Sequence, residues 1–298
     1  MPMAEISRSQ PLLGTLVRIT LRDAAMGADG LHQLADDAFA AITRVQALMS
    51  WFDPQSDVSR INARAHREEV EVHPCTAHVL REARRFSQLS DGAFDITITP
   101  VLTGWGLRPT RKTPRSASLA GNWEDVQVTV SNQVFYTRPV QVDLGGIAKG
   151  YAVDRAVAAL AHAAPDFALV DASGDMRYLG NDPPQLRLRD PEAPYLRSTE
   201  VPFLKRAVAT SAAYASTRRK GWRRVNHLVH PQTRKPAPTH ASATVFADTC
   251  LQADALSKVA LFAPPETLAS ALQDEAAVIW PGSLAEAHPA FGNFPTPP

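Results

Sequence analysis

The segment Val142-Asp143-Leu144-Gly145-Gly146-Ile147-Ala148-Lys149-Gly150-Tyr151-Ala152-Val153-Asp154 joins a strand end, a diglycine turn and a helix start within thirteen residues. Glycines let a backbone approach a ligand closely, and a helix start offers unpaired N–H groups and a positive dipole end, so an anion such as phosphate suits this place. Lys149 adds a mobile positive charge there. The spacing is neither the Walker loop nor the dinucleotide fingerprint, and a plain strand-to-helix turn accounts for it equally well. Asp254, Ser257 and Lys258 stand at i, i+3 and i+4 of a helical pattern, on one face. Such a face could hold a hard metal through oxygen, or it could be an ordinary Asp–Lys pair in water. His227 lies in Asn226-His227-Leu228-Val229-His230-Pro231 and could act as a general base near neutral pH, though this is one histidine of nine. Asp91-Gly92-Ala93-Phe94-Asp95-Ile96-Thr97 sets an aromatic beside a carboxylate after a tight turn. A flavin or adenine ring would use both, and a core Phe with a capping Asp would look the same.

These residues need elements to hold them. Leu13 to Leu21 alternates as a half-buried strand does, and Asp29 to Ser50 carries Leu31, Leu34, Ala38, Ile42, Val45 and Met49 at helical spacing. Further helices are predicted at Thr76 to Leu89, Ile147 to Ala161 and Gln252 to Phe262. Strands are predicted at Val126 to Val130, Val134 to Tyr136, Val140 to Leu144, Phe167 to Asp171, Arg206 to Thr210, His227 to Val229, Ser242 to Ala247 and Ala277 to Trp280. Consecutive strands argue for an α+β fold over strict alternation, and the absence of a repeat or linker argues for one domain over residues 1–298, with an irregular tail from about 285.

A hydrophobic content of 45% with 20% charged residues is that of a folded globular chain, which excludes wholesale disorder. No apolar run reaches membrane-spanning length. Met1 to Gln10 lacks the pattern of an export signal, so a cytoplasmic protein is the expectation. Cys75 and Cys250 have no CxxC spacing, which gives no sign of a zinc or redox motif. Net charge is only +1, yet nine cations and no acid fall between Glu200 and Asp248. Such a stretch suits a polyanion or solvent. With only Tyr214 and Trp222 interleaved, it lacks the stacking platform of a single-strand nucleic-acid binder, and no nucleic-acid partner is expected.

In this order the segments resemble the ApbE family, the FAD:protein FMN transferases. The blocks are Leu13-Gly14-Thr15; Met49-Ser50-Trp51-Phe52 with Ser56 to Asn62; Gly92 to Asp95; Asp143 to Asp154; Asp171 to Asp175; Ala209-Thr210-Ser211 with His227 to Pro236; and Ala253 to Leu261. The resemblance implies a T-fold-like α+β enzyme that binds FAD and Mg2+ and moves FMN onto a Ser or Thr hydroxyl of a target flavoprotein, releasing AMP. By position, it implies that Leu13, Phe52, Ala93, Phe94, Asp95, Asp143, Lys149 and Leu228 line the FAD site. It further implies that Gly146, Asp254 and Ser257 hold the metal and that His227 is the base. A flavin-binding relative without transfer, or an FAD pyrophosphatase, is the alternative.

The chain departs from the family pattern at five places. Leu13 replaces Met; Ala212-Ala213 follows Thr210-Ser211 where Gly and an acid are common; His230 replaces Asp; Arg234 replaces Gly; Lys258 replaces the Thr that closes the metal motif. An ammonium and a dication repel at one spot, so either Lys258 points away and Ser257 with water completes the magnesium shell, which is the expectation, or its ammonium takes over part of the metal's role.

Overall fold

The computed structural model describes residues 3–109, 121–272 and 276–279. In chain order the elements are β1 (Ala4–Leu12), β2 (Thr15–Asp23), α1 (Ala28–Met49), α2 (Asp57–Arg64), β3 (Val70–Glu71), α3 (Pro74–Leu89), α4 (Thr99–Gly104), β4 (Val126–Val128), β5 (Gln133–Tyr136), α5 (Ala148–Ala161), β6 (Phe167–Asp171) and β7 (Met176–Gly180). There follow β8 (Gln185–Arg189), β9 (Ser198–Pro202), β10 (Ala207–Ala212), β11 (Arg218–Lys220), β12 (Arg223–Val225), β13 (Ser242–Ala247), α6 (Cys250–Phe262), α7 (Pro265–Leu272) and β14 (Ala277–Ile279). The fold is α+β. The predicted tail and Trp280 lie outside the described residues, and among these no helix is long and apolar enough to cross a membrane.

One seven-stranded sheet, ordered β1-β2-β6-β7-β10-β13-β14, carries the architecture, and every neighbouring pair in it is antiparallel. Alternation along β10 and β13 divides two cores. Ala207, Ala209, Val245 and Ala247 join the large core with α1, α5 and α6, while Val208 and Phe246 join Tyr178 and the residues of the β8–β9 hairpin. Between neighbours β2 and β6 the chain inserts α1 to α5 and the small sheet β3-β5-β4. That insertion supplies one wall of the site.

Several expectations change. The strand predicted from Leu13 is instead the second arm of a hairpin, since Leu13 and Gly14 both take positive φ, 56° and 72°, in a two-residue turn that matches strand twist. Val140 to Leu144 is not a ladder strand. Asn62 takes the place of a neighbour: its Nδ2 donates to the Val142 carbonyl at 2.8 Å, its Oδ1 accepts from the Val142 N–H at 2.7 Å, and the Asp143 N–H donates to Ile96 O. His227 to Val229 makes only a single bridge, Val229 with Pro236, because Pro231, Pro236 and Pro238 interrupt any ladder. Part of the basic stretch forms the β11–β12 hairpin, where Arg218 and Lys220 donate to the carbonyls of Gly106 and Gly104 at the end of α4. Both cysteines are free thiols.

Candidate active site

The site rests on the crossing of α5 and α6. Gly150, in the first turn of α5, lies so close to α6 that a Cβ there would stand 2.2 Å from the Cys250 carbonyl oxygen and 2.8 Å from the Asp254 Cβ. Only glycine permits that approach. It lets the Gly150 N–H donate to Asp254 Oδ2 at 3.0 Å, so a carboxylate of α6 caps α5. The reverse contact also exists: Asp154 of α5 accepts from the N–H groups of Cys250 and Leu251 at 2.9 and 2.8 Å and pairs with Arg177 at 2.6 Å. The helix start read as an anion cradle therefore receives its anion from the protein itself.

Beside this crossing lies a cleft of about 500 Å3. Leu13, Ala93, Phe94, Asp95, Asp143, Gly146, Lys149, His227 and Leu228 all line it. Phe52 does not: it is 65% exposed outside the wall, with its ring 5.7 Å from the guanidinium carbon of Arg108, which does line the cleft. Asp254 and Ser257 are fully buried beneath the wall, and Lys258 is the residue of their group that reaches it.

Lys258 does not point away, as expected, but folds inward. Its ammonium donates to the Asp254 carbonyl at 2.9 Å and pairs with Asp254 Oδ1, and its Cε would stand 3.7 Å from a Cβ on Gly146. An aliphatic stem that packs along the diglycine turn brings the charge to the carboxylate it most stabilises. Burial alone would raise the Asp254 pKa, but Lys258 and Lys149 outweigh it and hold the carboxyl below its usual range. Lys149 pairs with Asp175, a carboxylate 1% exposed whose pKa is pushed up to about 6 by burial and by the nearby Asp254 charge. Two carboxylates and two ammonium groups thus form one buried cluster.

This arrangement does not fit the implied magnesium ion. Asp254 has both oxygens engaged, one by Gly150 and one by Lys258. Ser257 Oγ donates to the Asp254 carbonyl at 2.7 Å and bonds Ser211 Oγ at 2.7 Å, turned into α6 and β10. Gly146 lines the cleft with the Lys258 stem packed beside its Cα. A dication would have to displace an ammonium from a fully buried carboxylate, which is an expensive exchange.

Across the cleft, His227 is half-buried. Burial first, then the charges of Arg108 and Arg218, lower its pKa below the ordinary histidine value, which favours the neutral ring. Arg108 in turn donates through Nε to Asp143 Oδ2 at 2.5 Å, while Asp143 Oδ1 accepts from the Gly145 N–H at 2.8 Å. Asp143 therefore ties the diglycine turn to a cation in the cleft. Asp95 holds the other wall: its Oδ1 accepts from the N–H and hydroxyl of Thr97, both at 2.7 Å, although burial raises its pKa. The turn before it ends α3 with a Gly92 N–H to Ser87 O bond of 2.8 Å.

Arg108 and Asp175 were not foreseen as site residues. Asp175 stood inside a recognised block, so its type could have been a clue. Arg108, in Trp105-Gly106-Leu107-Arg108, carried no local signal, and the insertion between β2 and β6 delivers it.

A sequence profile of the ApbE family matches residues 13–280. The FAD:protein FMN transferase of Haemophilus influenzae is 28% identical over 272 residues, covering 85% of this chain and 79% of that protein. That of Treponema pallidum is 26% identical over 280 residues, covering 85% and 77%. Among solved structures, the ApbE protein of Thermotoga maritima superposes with a TM-score of 0.78 at 27% identity, covering 93% of this chain and 94% of that one. The flavin transferase ApbE of Vibrio cholerae gives 0.78 at 26% identity and 94% of each chain.

Proposed function

The chain belongs to the ApbE family, and from that premise we propose that it is an FAD:protein FMN transferase acting on a Ser or Thr hydroxyl of a target flavoprotein. The single observation that carries the reading is the convergence on one cleft of a half-buried histidine, a buried aromatic and several cations. Phe94 and Leu228 offer apolar contact to the flavin, and Asp95 offers a polar edge. Arg108 and Lys149 supply positive charge for the pyrophosphate. His227 takes the proton of the acceptor hydroxyl as its oxygen attacks the phosphorus on the FMN side. A new P–O bond forms, the P–O bond to the AMP half breaks, and AMP leaves with that electron pair. The cations offset the charge that gathers on the leaving oxygen.

No step is routed through magnesium, because the donors are engaged within the protein. The test is incubation of the chain with FAD and an acceptor flavoprotein, read by in-gel flavin fluorescence and intact mass. Covalent flavin on a Ser or Thr is the expected result. FAD bound without AMP release or acceptor labelling would refute it, and AMP release without labelling would favour a pyrophosphatase.

A further inference from the structure

We propose that the Lys258 ammonium serves as a built-in cation in place of a divalent metal, so that flavin transfer by this chain proceeds without one. The inference rests on the transferase reading for its chemistry, but its structural grounds are separate. Lys258 stands four residues after Asp254 on α6, one turn along the same face, and its ammonium sits on the carboxylate oxygen that a metal would need. The second oxygen is committed to the α5 backbone, and the Ser257 hydroxyl is committed to Ser211 and to a carbonyl.

The charge balance agrees. Asp254 and Asp175 face Lys258 and Lys149, so the cluster is neutral before substrate arrives. Adding a dication would set two positive charges against two ammonium groups already within ion-pair distance of the same carboxylates, with repulsion strengthened by burial. An ammonium has three donors. Lys258 spends two on Asp254, on its carbonyl and on Oδ1, and because its side chain lines the cleft the third is available to a pyrophosphate oxygen. The transfer is the one balanced above: the hydroxyl proton goes to His227, the new P–O bond forms, and AMP departs. Lys258 and Lys149 stabilise its leaving oxygen.

The experiment uses the full chain stripped with EDTA and has two arms. In the first, AMP release from FAD in the presence of an acceptor flavoprotein is followed in excess EDTA and in excess Mg2+. In the second, Mn2+ is titrated into chelator-free protein with FAD and into FAD alone, and free Mn2+ is read by electron paramagnetic resonance. The expected results are the same rate of AMP release in both media and no Mn2+ bound beyond that held by FAD alone. In Lys258→Thr, release in EDTA falls by roughly 10²-fold, the scale of losing one charge-stabilising donor, and recovers with Mg2+ as Mn2+ binding appears. AMP release that requires Mg2+, with Mn2+ bound by the wild-type chain, overturns the proposal and leaves the transferase reading intact. No AMP in either medium refutes the transferase reading and, with it, a catalytic role for the Lys258 ammonium, and Mn2+ unbound by the wild type then shows only that the cluster excludes a dication. The wild-type arms stand even if Lys258→Thr does not fold.

Discussion

Gly150→Ala is the sharpest perturbation that the α5–α6 crossing offers. The added methyl carbon would stand 2.2 Å from the Cys250 carbonyl oxygen and 2.8 Å from the Asp254 Cβ, so the helices must part by about 1 Å to restore ordinary contact. Overpacking of this kind costs about 1–3 kcal/mol. Losing the bond from the Gly150 N–H to the buried Asp254 carboxylate adds about 1.5–3 kcal/mol. Alanine's better helix propensity returns up to about 1 kcal/mol. The balance is a destabilisation of about 2–5 kcal/mol, which lowers Tm by about 3–8 °C for a chain of this size. Moving α6 also carries Lys258 off the cleft wall, and a displacement of about 1 Å can cost on the order of 10²-fold in rate. The assay is thermal unfolding by circular dichroism beside AMP release, with Gly104→Ala as control, since nothing lies within 4 Å of a Cβ there. A Gly150→Ala chain that melts with the wild type and retains its rate would refute the claim that this contact positions the site.

Other expectations follow from the same geometry. His227→Asn should slow transfer by about 10²–10⁴-fold while FAD binding persists. Because burial and the Arg108 and Arg218 charges lower the His227 pKa, the wild-type rate should rise with pH to a plateau with a midpoint below about 6.5. Arg108→Gln should move that limb to higher pH, and an unmoved limb would show that another group titrates. Phe52→Ala, at an exposed position, should leave stability within about 0.5 kcal/mol. Because its ring lies outside the cleft wall, FAD binding in a fluorescence titration should be unchanged. Asn62→Ala leaves the Val142 N–H and carbonyl without their partner, and denaturant unfolding should report a loss of about 2–5 kcal/mol.

The long helices were legible because burial repeats along them: α1 buries Leu31, Ala35, Ala38, Ile42, Val45 and Met49 on one stripe. Short strands were not. The exposed, charged alternation of Gln185–Arg189 is covered on only one face, and its partner β9 is nearly all exposed. Val140 to Leu144 has the apolar run of a buried strand, yet its hydrogen bonds go to an Asn side chain and a loop carbonyl, which no local pattern reveals. In the site, residue types in order pointed to the cleft-lining group from Leu13 to Leu228. Side-chain direction was beyond reach. Repulsion between Lys258 and a metal was anticipated, but the side that prevails depends on Asp254 being sealed beneath the wall, a property of the α5–α6 crossing.

The most direct measurement of the central claim is a stoichiometry: AMP released and flavin bound covalently to an acceptor flavoprotein, counted in one reaction with FAD. Equal amounts of the two, both formed about 10²–10⁴-fold more slowly in His227→Asn, are predicted. FAD held in the cleft with neither product formed would contradict the account.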